Sequence, residues 1–257
     1  MRFATVVIRL AGVVLALWLL VPPTIAAGDK IDKKAASQAK LAQSLYLEQQ
    51  FGRALTAIEA ALKEEPRYVV AHQIRGQILF SMDAVEQSLD AFEKALSLDN
   101  GYTEARVWKA SALIQLERYD EARKEYETAL KDLSYPTPEK IHLNLGMLDR
   151  LLDDDESAIE SINMAVRLNP SYAKGFYELG LTYEKMGKTK EALRAFQGAL
   201  VEAGESAGFN LSLGQALMRM GDSEKARAQF EKVIRIAPGQ PEAAEARDQI
   251  RKLQKPS

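Results

Sequence analysis

The sequence predicts an all-α fold, a solenoid of stacked helical hairpins, and three observations support this prediction. A small residue returns in steps of 34, 34, 36, 34 and 34 residues, at Ala42, Gly76, Ala110, Gly146, Gly180 and Gly214. A second small residue follows each of these twelve positions later, beginning with Ala54. No window shows sustained strand alternation. A period of this length indicates one helical hairpin copied six times rather than one globular core.

Within each copy the apolar residues fall at helical spacing, as Leu89, Phe92 and Leu96 do in the second copy. Each predicted helix has about 12–14 residues, and a helix of that length is marginal in water by itself. The small residues allow two helices to approach closely, and the larger side chain that recurs beside them fills the remaining gap. We therefore expect the hairpins to be stabilised by stacking on their neighbours.

Turn-forming and helix-ending residues divide each copy into two helices. The pairs Gly187-Lys188 and Gly221-Asp222 predict the turn between them. Pro66, Pro170 and Pro238 predict the end of the second helix, because proline cannot continue the hydrogen-bond ladder.

We assign the copies to 35–68, 69–102, 103–138, 139–172, 173–206 and 207–240, and the run 241–257 to a capping helix and tail. Pro241 suits the first position of that helix, and such arrays need a terminal cap over their last apolar edge. The third copy is two residues longer, and Tyr135-Pro136-Thr137-Pro138 lies at its end. This insertion predicts a longer connecting loop, and the alternative is a small change in direction between the two halves of the array.

The repeated pattern resembles the tetratricopeptide repeat family. The best copies run from Leu145-Gly146 through Ala158 to Pro170, and from Leu179-Gly180 through Phe196. The resemblance covers about residues 35–240. It implies a right-handed α-solenoid whose concave groove, lined by the first helix of each copy, binds a segment of another protein.

The resemblance also places positions 2, 5, 9, 12 and 13 of each first helix in the groove. Carried onto this sequence, the candidate partner-binding residues are mostly apolar or amide-bearing, with charges toward the carboxyl half: Tyr46, Leu47, Gln73, Gln77, Phe80, Val107, Ser111, Ile114, Leu143, Met147, Arg150, Tyr177, Leu181, Lys185, Leu211, Gln215 and Met218. The alternative for several of them is packing against a neighbouring helix. Family members that bind chaperone tails hold a terminal carboxylate with Lys and Asn at positions 5 and 9 of the first copy. Ala39 and Gln43 stand there, so that activity is not expected.

The composition excludes several classes of function. The chain has 257 residues, a formal net charge of −2 and no cysteine. A mildly acidic chain lacks the basic surface of a nucleic-acid-binding protein. Without cysteine it has no disulfide, no thiol nucleophile and no lipid-modified cysteine.

The first 27 residues have the order of a secretory signal. Arg2 and Arg9 precede an apolar run from Leu10 to Val21, and Thr24–Ala27 supplies small residues. The alternative is an uncleaved membrane anchor formed by residues 4–21. Either interpretation predicts export, to the periplasm or to the outer face of the cytoplasmic membrane. Residues 28–34 are expected to be a flexible leader.

No residue pattern predicts a catalytic, metal or cofactor site. His72 and His142 stand where the family carries a packing ring, and Asp153–Glu156 lacks the ligand spacing of a calcium loop and suits helix capping. Glycoside cleavage needs two facing carboxylates, and the groove positions offer only Glu104 and Glu184, two copies apart.

Asp149 is unusual, because it replaces Leu45, Leu79, Leu113, Tyr183 and Leu217 of the other copies. We expect a neighbouring donor or partial exposure, and the alternative is a polar contact with a ligand.

These observations together predict a non-enzymatic protein-binding scaffold of the cell envelope. A structural subunit that self-associates through the solenoid is the first alternative, and a cell-wall-acting enzyme is the second.

Overall fold

The computed structural model describes residues 32–204 and 206–254, and these residues form helices joined by short connections. The all-α prediction is confirmed for this part of the chain. In chain order the helices are α1 (Lys33–Leu47), α2 (Phe51–Glu64), α3 (Val69–Ser81), α4 (Val85–Leu98), α5 (Thr103–Gln115), α6 (Tyr119–Ala129), α7 (Pro138–Leu151), α8 (Asp155–Leu168), α9 (Ala173–Lys185), α10 (Thr189–Ala203), α11 (Ala207–Arg219), α12 (Ser223–Ile236) and α13 (Pro241–Leu253).

The first twelve helices pair as antiparallel hairpins, α1 with α2 through to α11 with α12, and each hairpin stacks on the next. The final helix, α13, packs against α12 and α11. Helix contacts are therefore between neighbours in sequence, which is the organisation of a solenoid.

The recurring small residue lies where the two helices of a hairpin cross. A Cβ atom added to Gly76 would overlap the ring of Phe92, and one added to Gly180 would overlap the ring of Phe196. Gly214 has the same relation to Phe230. The small residue thus leaves space for the aromatic side chain sixteen positions later.

The turn within each hairpin is made by one residue in the left-handed region. Gly187 and Gly221 have φ of 71° and 80° there. The other four turns use residues with a side chain at φ between 59° and 63°: Gln49, Asp83, Glu117 and Asp153. These four turns carry backbone strain that glycine would avoid.

The first helix begins earlier than the sequence predicts. Asp32 caps α1 by accepting hydrogen bonds from the amides of Lys34 (2.7 Å) and Ala35 (3.2 Å), so residues 33 and 34 are helical rather than part of a flexible leader. The secretory-signal or membrane-anchor segment, residues 1–27, lies outside the described residues. In the described ranges, no helix combines the length and the apolar character needed to cross a bilayer.

The junction between the third and fourth hairpins differs from the others. Helix α6 has only 11 residues, and the irregular segment 130–137 follows it. Among consecutive helices, α6 and α7 make the sparsest contact. Tyr135 fills part of this junction and is 8% exposed. The predicted longer loop is present, and it is packed rather than extended into solvent.

Candidate protein-binding groove

The first helices of the hairpins line the concave side of the array. Several successive first helices approach each other closely, namely α1 and α3, α3 and α5, and α7 and α9. Successive second helices make at most slight contact within the described residues. Because neighbouring hairpins are closer on the side of the first helices, the array curves toward that side.

The structure divides the seventeen candidate residues by burial. Gln73, Val107, Leu143 and Leu211 are only 5%, 2%, 1% and 8% exposed, so they pack between helices and offer little surface to a partner. Leu47 and Lys185 are exposed. Eleven are half-buried: Tyr46, Gln77, Phe80, Ser111, Ile114, Met147, Arg150, Tyr177, Leu181, Gln215 and Met218.

The amino half of the groove, formed by α1, α3 and α5, is apolar with a few amides. Leu47 is 51% exposed there. The ring of Phe80 packs edge-on against Trp108, with the ring centroids 5.9 Å apart. Tyr46 Oη and Ser81 Oγ share a hydrogen bond of 3.2 Å that joins α1 to α3. The Gln115 amide donates to Asp83 Oδ1 at 2.8 Å at the rim of this half.

The carboxyl half, formed by α7, α9 and α11, contains charged side chains that pair across consecutive hairpins. Arg150 Nη2 lies 2.6 Å from Glu178 Oε2, and the two side chains are only 17% and 8% exposed. Arg150 Nη1 also donates to the Glu178 carbonyl oxygen at 3.2 Å. This ion pair connects α7 to α9 in a largely buried position.

Two further ionic contacts continue this pattern. Lys185 Nζ lies 2.7 Å from Asp153 Oδ1 and 2.9 Å from Asp155 Oδ1, and it donates to the Arg150 carbonyl oxygen at 2.8 Å. Arg219 pairs with Glu184, which connects α11 to α9. We call Arg150–Glu178, Lys185–Asp153/Asp155 and Arg219–Glu184 together the ionic ladder.

Two other candidate residues of the carboxyl half are also engaged within the chain. Tyr177 stacks on Phe209, with ring centroids 4.6 Å apart, and shares a hydrogen bond of 3.2 Å with Ser212. The amide of Gln215 donates to Glu245 of α13 at 2.7 Å.

A second polar cluster lies at the junction of the third and fourth hairpins. Glu104 accepts hydrogen bonds from Tyr135 Oη (3.0 Å) and Trp108 Nε1 (3.1 Å). Burial raises the pKa of the Glu104 carboxyl, and the two hydrogen bonds and the nearby Lys140 oppose that rise. Burial also lowers the pKa of Lys140.

Asp149 has the neighbouring donors that were expected for it. It is 2% exposed, Arg123 Nη1 lies 2.6 Å from its Oδ1, and Ser161 Oγ donates to its Oδ2 at 3.2 Å. Because Arg123 belongs to α6, this pair connects the third hairpin to the fourth. Asp149 therefore contributes to the packing of the array.

The remaining polar candidates have local partners. Asp154 caps α8 by accepting from the Ser157 amide at 3.1 Å, as the capping interpretation predicts. His72 is half-buried, its Nε2 lies 2.9 Å from the Pro66 carbonyl oxygen, and burial lowers its pKa. In the part of the chain that the structure describes, no cluster of three His, Cys, Asp or Glu residues could hold a metal ion.

Comparison with family models decides the classification of the chain. The tetratricopeptide repeat model matches residues 39–103, 109–173 and 177–241, and a second tetratricopeptide repeat model matches residues 79–134. The chain belongs to the tetratricopeptide repeat family. Members of this family are generally non-catalytic scaffolds that bind other proteins or peptides.

Similar solved structures show the same fold. PilW, described as a widely conserved type IV pilus biogenesis factor, superposes with a TM-score of 0.76 at 22% identity, over 83% of this chain and 98% of that one. PilF of Pseudomonas aeruginosa superposes with a TM-score of 0.71 at 19% identity, over 85% of this chain and 98% of that one.

A curated relative is the DnaJ homolog subfamily C member 7 homolog of Schizosaccharomyces pombe. It is 22% identical over 198 residues, which cover 72% of this chain and 42% of the relative. The Superkiller protein 3 of the same organism is 25% identical over 161 residues, 61% of this chain and 11% of the relative. The chain thus spans less than half the length of these two relatives.

The tetratricopeptide pattern located the groove but missed several of the residues that shape it. Glu178 lies at position 6 of its repeat, outside the five positions that line the groove in the family, and it is buried because Arg150 reaches across to it. Tyr135 lies in the inserted loop, where the pattern assigns no position. The sequence carried no local signal for these contacts, because the partners Arg150 and Glu104 lie 28 and 31 residues away in sequence.

Proposed function

We propose that this chain is a non-enzymatic adaptor of the cell envelope that holds an apolar-anchored segment of a partner protein in its concave groove. The observation that carries the proposal is the row of partly exposed apolar side chains along the first helices. Leu47, Phe80, Ile114, Met147 and Leu151 contribute to this row, and Leu47 and Leu151 are 51% and 46% exposed. Such a surface is typical of a site that binds an amphipathic segment.

The envelope location is supported by the signal-like order of residues 1–27. The fold shared with PilW, described as a type IV pilus biogenesis factor, makes pilus assembly the first process to test. Amino-terminal sequencing of the protein from the envelope fraction tests the location, because a cleaved signal and a retained anchor give different first residues. Recovery of the protein only from the cytosol would contradict this part of the proposal.

Site-specific photocrosslinking tests the binding surface. A photoreactive phenylalanine at Leu47 or Ile114 is expected to capture a partner, whereas the same residue at Glu127, which is exposed on the second helix α6, serves as the control. Unchanged helical circular dichroism verifies that each variant folds. Adducts that form equally from Glu127 and from the groove positions would contradict groove binding.

The alternative function, self-association through the solenoid, can be tested on the purified protein. Light scattering of the purified protein is expected to give the mass of a monomer. A defined oligomer whose crosslinks join Leu47 to a second copy would instead favour the structural role.

A further inference from the structure

The two halves of the groove differ in charge at positions 12 and 13 of their repeats. In the carboxyl half, the charged residues at positions 12 and 13 of the repeats belong to the ionic ladder: Arg150, Glu184, Lys185 and Arg219. A partner that used these charges would first have to separate pairs such as Arg150–Glu178. Breaking a largely buried pair leaves an uncompensated charge, which is strongly unfavourable.

The amino half has the opposite character. Of its fifteen groove positions on α1, α3 and α5, only Glu104 carries a charge, and Tyr135 and Trp108 cover that carboxylate. At the rim, Asp83 is engaged by Gln115. Gln43 and Gln77 occupy the same position of successive repeats, and neither has a side-chain partner within the described residues. Their amides are free to bond to the main chain of a bound segment.

The exposed part of the amino half is therefore apolar surface with two uncommitted amides. A charged side chain buried against it would lose its hydration without gaining an opposite charge. An uncharged segment would lose little and would bury its apolar side chains against Leu47, Phe80 and Ile114.

We infer that the occupant of the groove is an uncharged, apolar segment of a partner protein, and that it is bound by the first three hairpins. This inference rests on the proposed function and adds the chemistry of the segment and the half of the groove that binds it. The carboxyl half then serves to keep consecutive hairpins in fixed relative positions.

Selection from a phage-displayed library of random 15-residue peptides against the full chain tests the inference. We expect enriched peptides to contain apolar runs without Asp, Glu, Lys or Arg. Their affinity should change by less than about twofold between low and high salt, because the groove positions of the amino half carry no exposed charge. Acidic or basic peptides whose affinity falls steeply with salt would overturn the inference.

Two substitutions in matched positions locate the site. Leu47 and Leu151 both occupy position 13 of their repeats and have similar exposure, but Leu47 belongs to the amino half and Leu151 to the carboxyl half. Leu47→Glu is expected to weaken binding of a selected peptide by about tenfold or more, because it buries a carboxylate against apolar atoms. Leu151→Glu is expected to leave binding unchanged.

The two proposals fail in different ways. Loss of binding with Leu151→Glu but not with Leu47→Glu would overturn the assignment to the amino half and leave groove binding intact. The proposed function itself would be overturned if neither variant weakened binding of the enriched peptides. Recovery of no enriched peptide at all would overturn it as well. Because both leucines are about half exposed, both variants should retain the helical circular dichroism of the parent chain.

Discussion

Arg123 of the third hairpin and Asp149 of the fourth form a 2.6 Å ion pair in which the carboxylate is almost completely buried. Asp149 occupies a position that is Leu in four of the other copies. The pair therefore replaces an apolar contact between hairpins, and it stabilises the array only while both partners are present.

Removing one partner should cost more than removing both. Arg123→Leu leaves Asp149 buried with only Ser161 as a donor, so we expect the free energy of unfolding to fall by about 3 kcal/mol. The double variant Arg123→Leu/Asp149→Leu should recover most of this loss, because it restores the apolar residue of the other copies. Urea unfolding followed by circular dichroism measures both. A double variant as unstable as the single one would show that the pair itself is required.

The close contact between Gly180 and Phe196 predicts a large effect from one methyl group. Gly180→Ala should destabilise the array by about 1–3 kcal/mol, because the added Cβ overlaps a ring that has no space to move. A Cβ added to Gly208 of α11 would meet no atom within 4 Å, so Gly208→Ala is the control and should be neutral or slightly stabilising. Thermal unfolding of the two variants compares their stability with that of the parent chain. Equal destabilisation would contradict the packing role of Gly180.

The strained turns offer a route to higher stability. Glu117 has φ of 59° and an exposed side chain, so Glu117→Gly should raise the free energy of unfolding by about 0.5–1 kcal/mol through relief of backbone strain.

Two comparisons control for this effect. Asp83→Gly should give a smaller gain, because Asp tolerates the left-handed region better and its carboxylate accepts a hydrogen bond from Gln115. Gly187→Ala should be destabilising, since Gly187 has φ of 71° and no neighbouring atom to clash. A stabilising Gly187→Ala would contradict the role of strain.

Glu104 predicts a specific dependence of stability on pH. Burial raises the pKa of its carboxyl above the ordinary value for glutamate, so the folded chain holds the proton more tightly than the unfolded chain does. The contribution of Glu104 to stability is therefore complete below the unfolded pKa and is lost as the pH rises through the folded pKa.

Comparison with Glu104→Gln isolates this contribution, because the amide keeps an acceptor for Tyr135 and Trp108 but does not titrate. The stability of the variant relative to the parent should increase as the pH rises from about 4.5, and urea unfolding across that range measures it. A difference that does not vary with pH would contradict a raised pKa for Glu104.

The period of the sequence was enough to predict the fold, because the packing that defines the fold lies within each copy. Each copy repeats the same packing requirement, a small residue such as Gly180 facing a bulky one such as Phe196, and this requirement is visible as a fixed spacing. The same spacing located the first helices and hence the row that contains Leu47 and Phe80.

The character of the two halves of the groove could not be predicted in the same way. Whether Arg150 faces a partner or pairs with Glu178 depends on the distance between two hairpins, which the spacing within a copy does not specify. Burial of Val107 and Leu143 depends on how closely successive first helices approach. Capping by Asp32 likewise extended α1 beyond the repeat pattern.

The short helix α6 and its sparse contact with α7 have a mechanical consequence. A force applied to the two ends of the chain acts on every junction between hairpins in series, so the weakest junction opens first. Here that junction is bridged by Tyr135, Glu104 and the Arg123–Asp149 pair, and α6 and α7 make the sparsest contact of any consecutive helices that the structure describes. We expect a stretched molecule to part into two intact stacks of three hairpins before any single hairpin unravels.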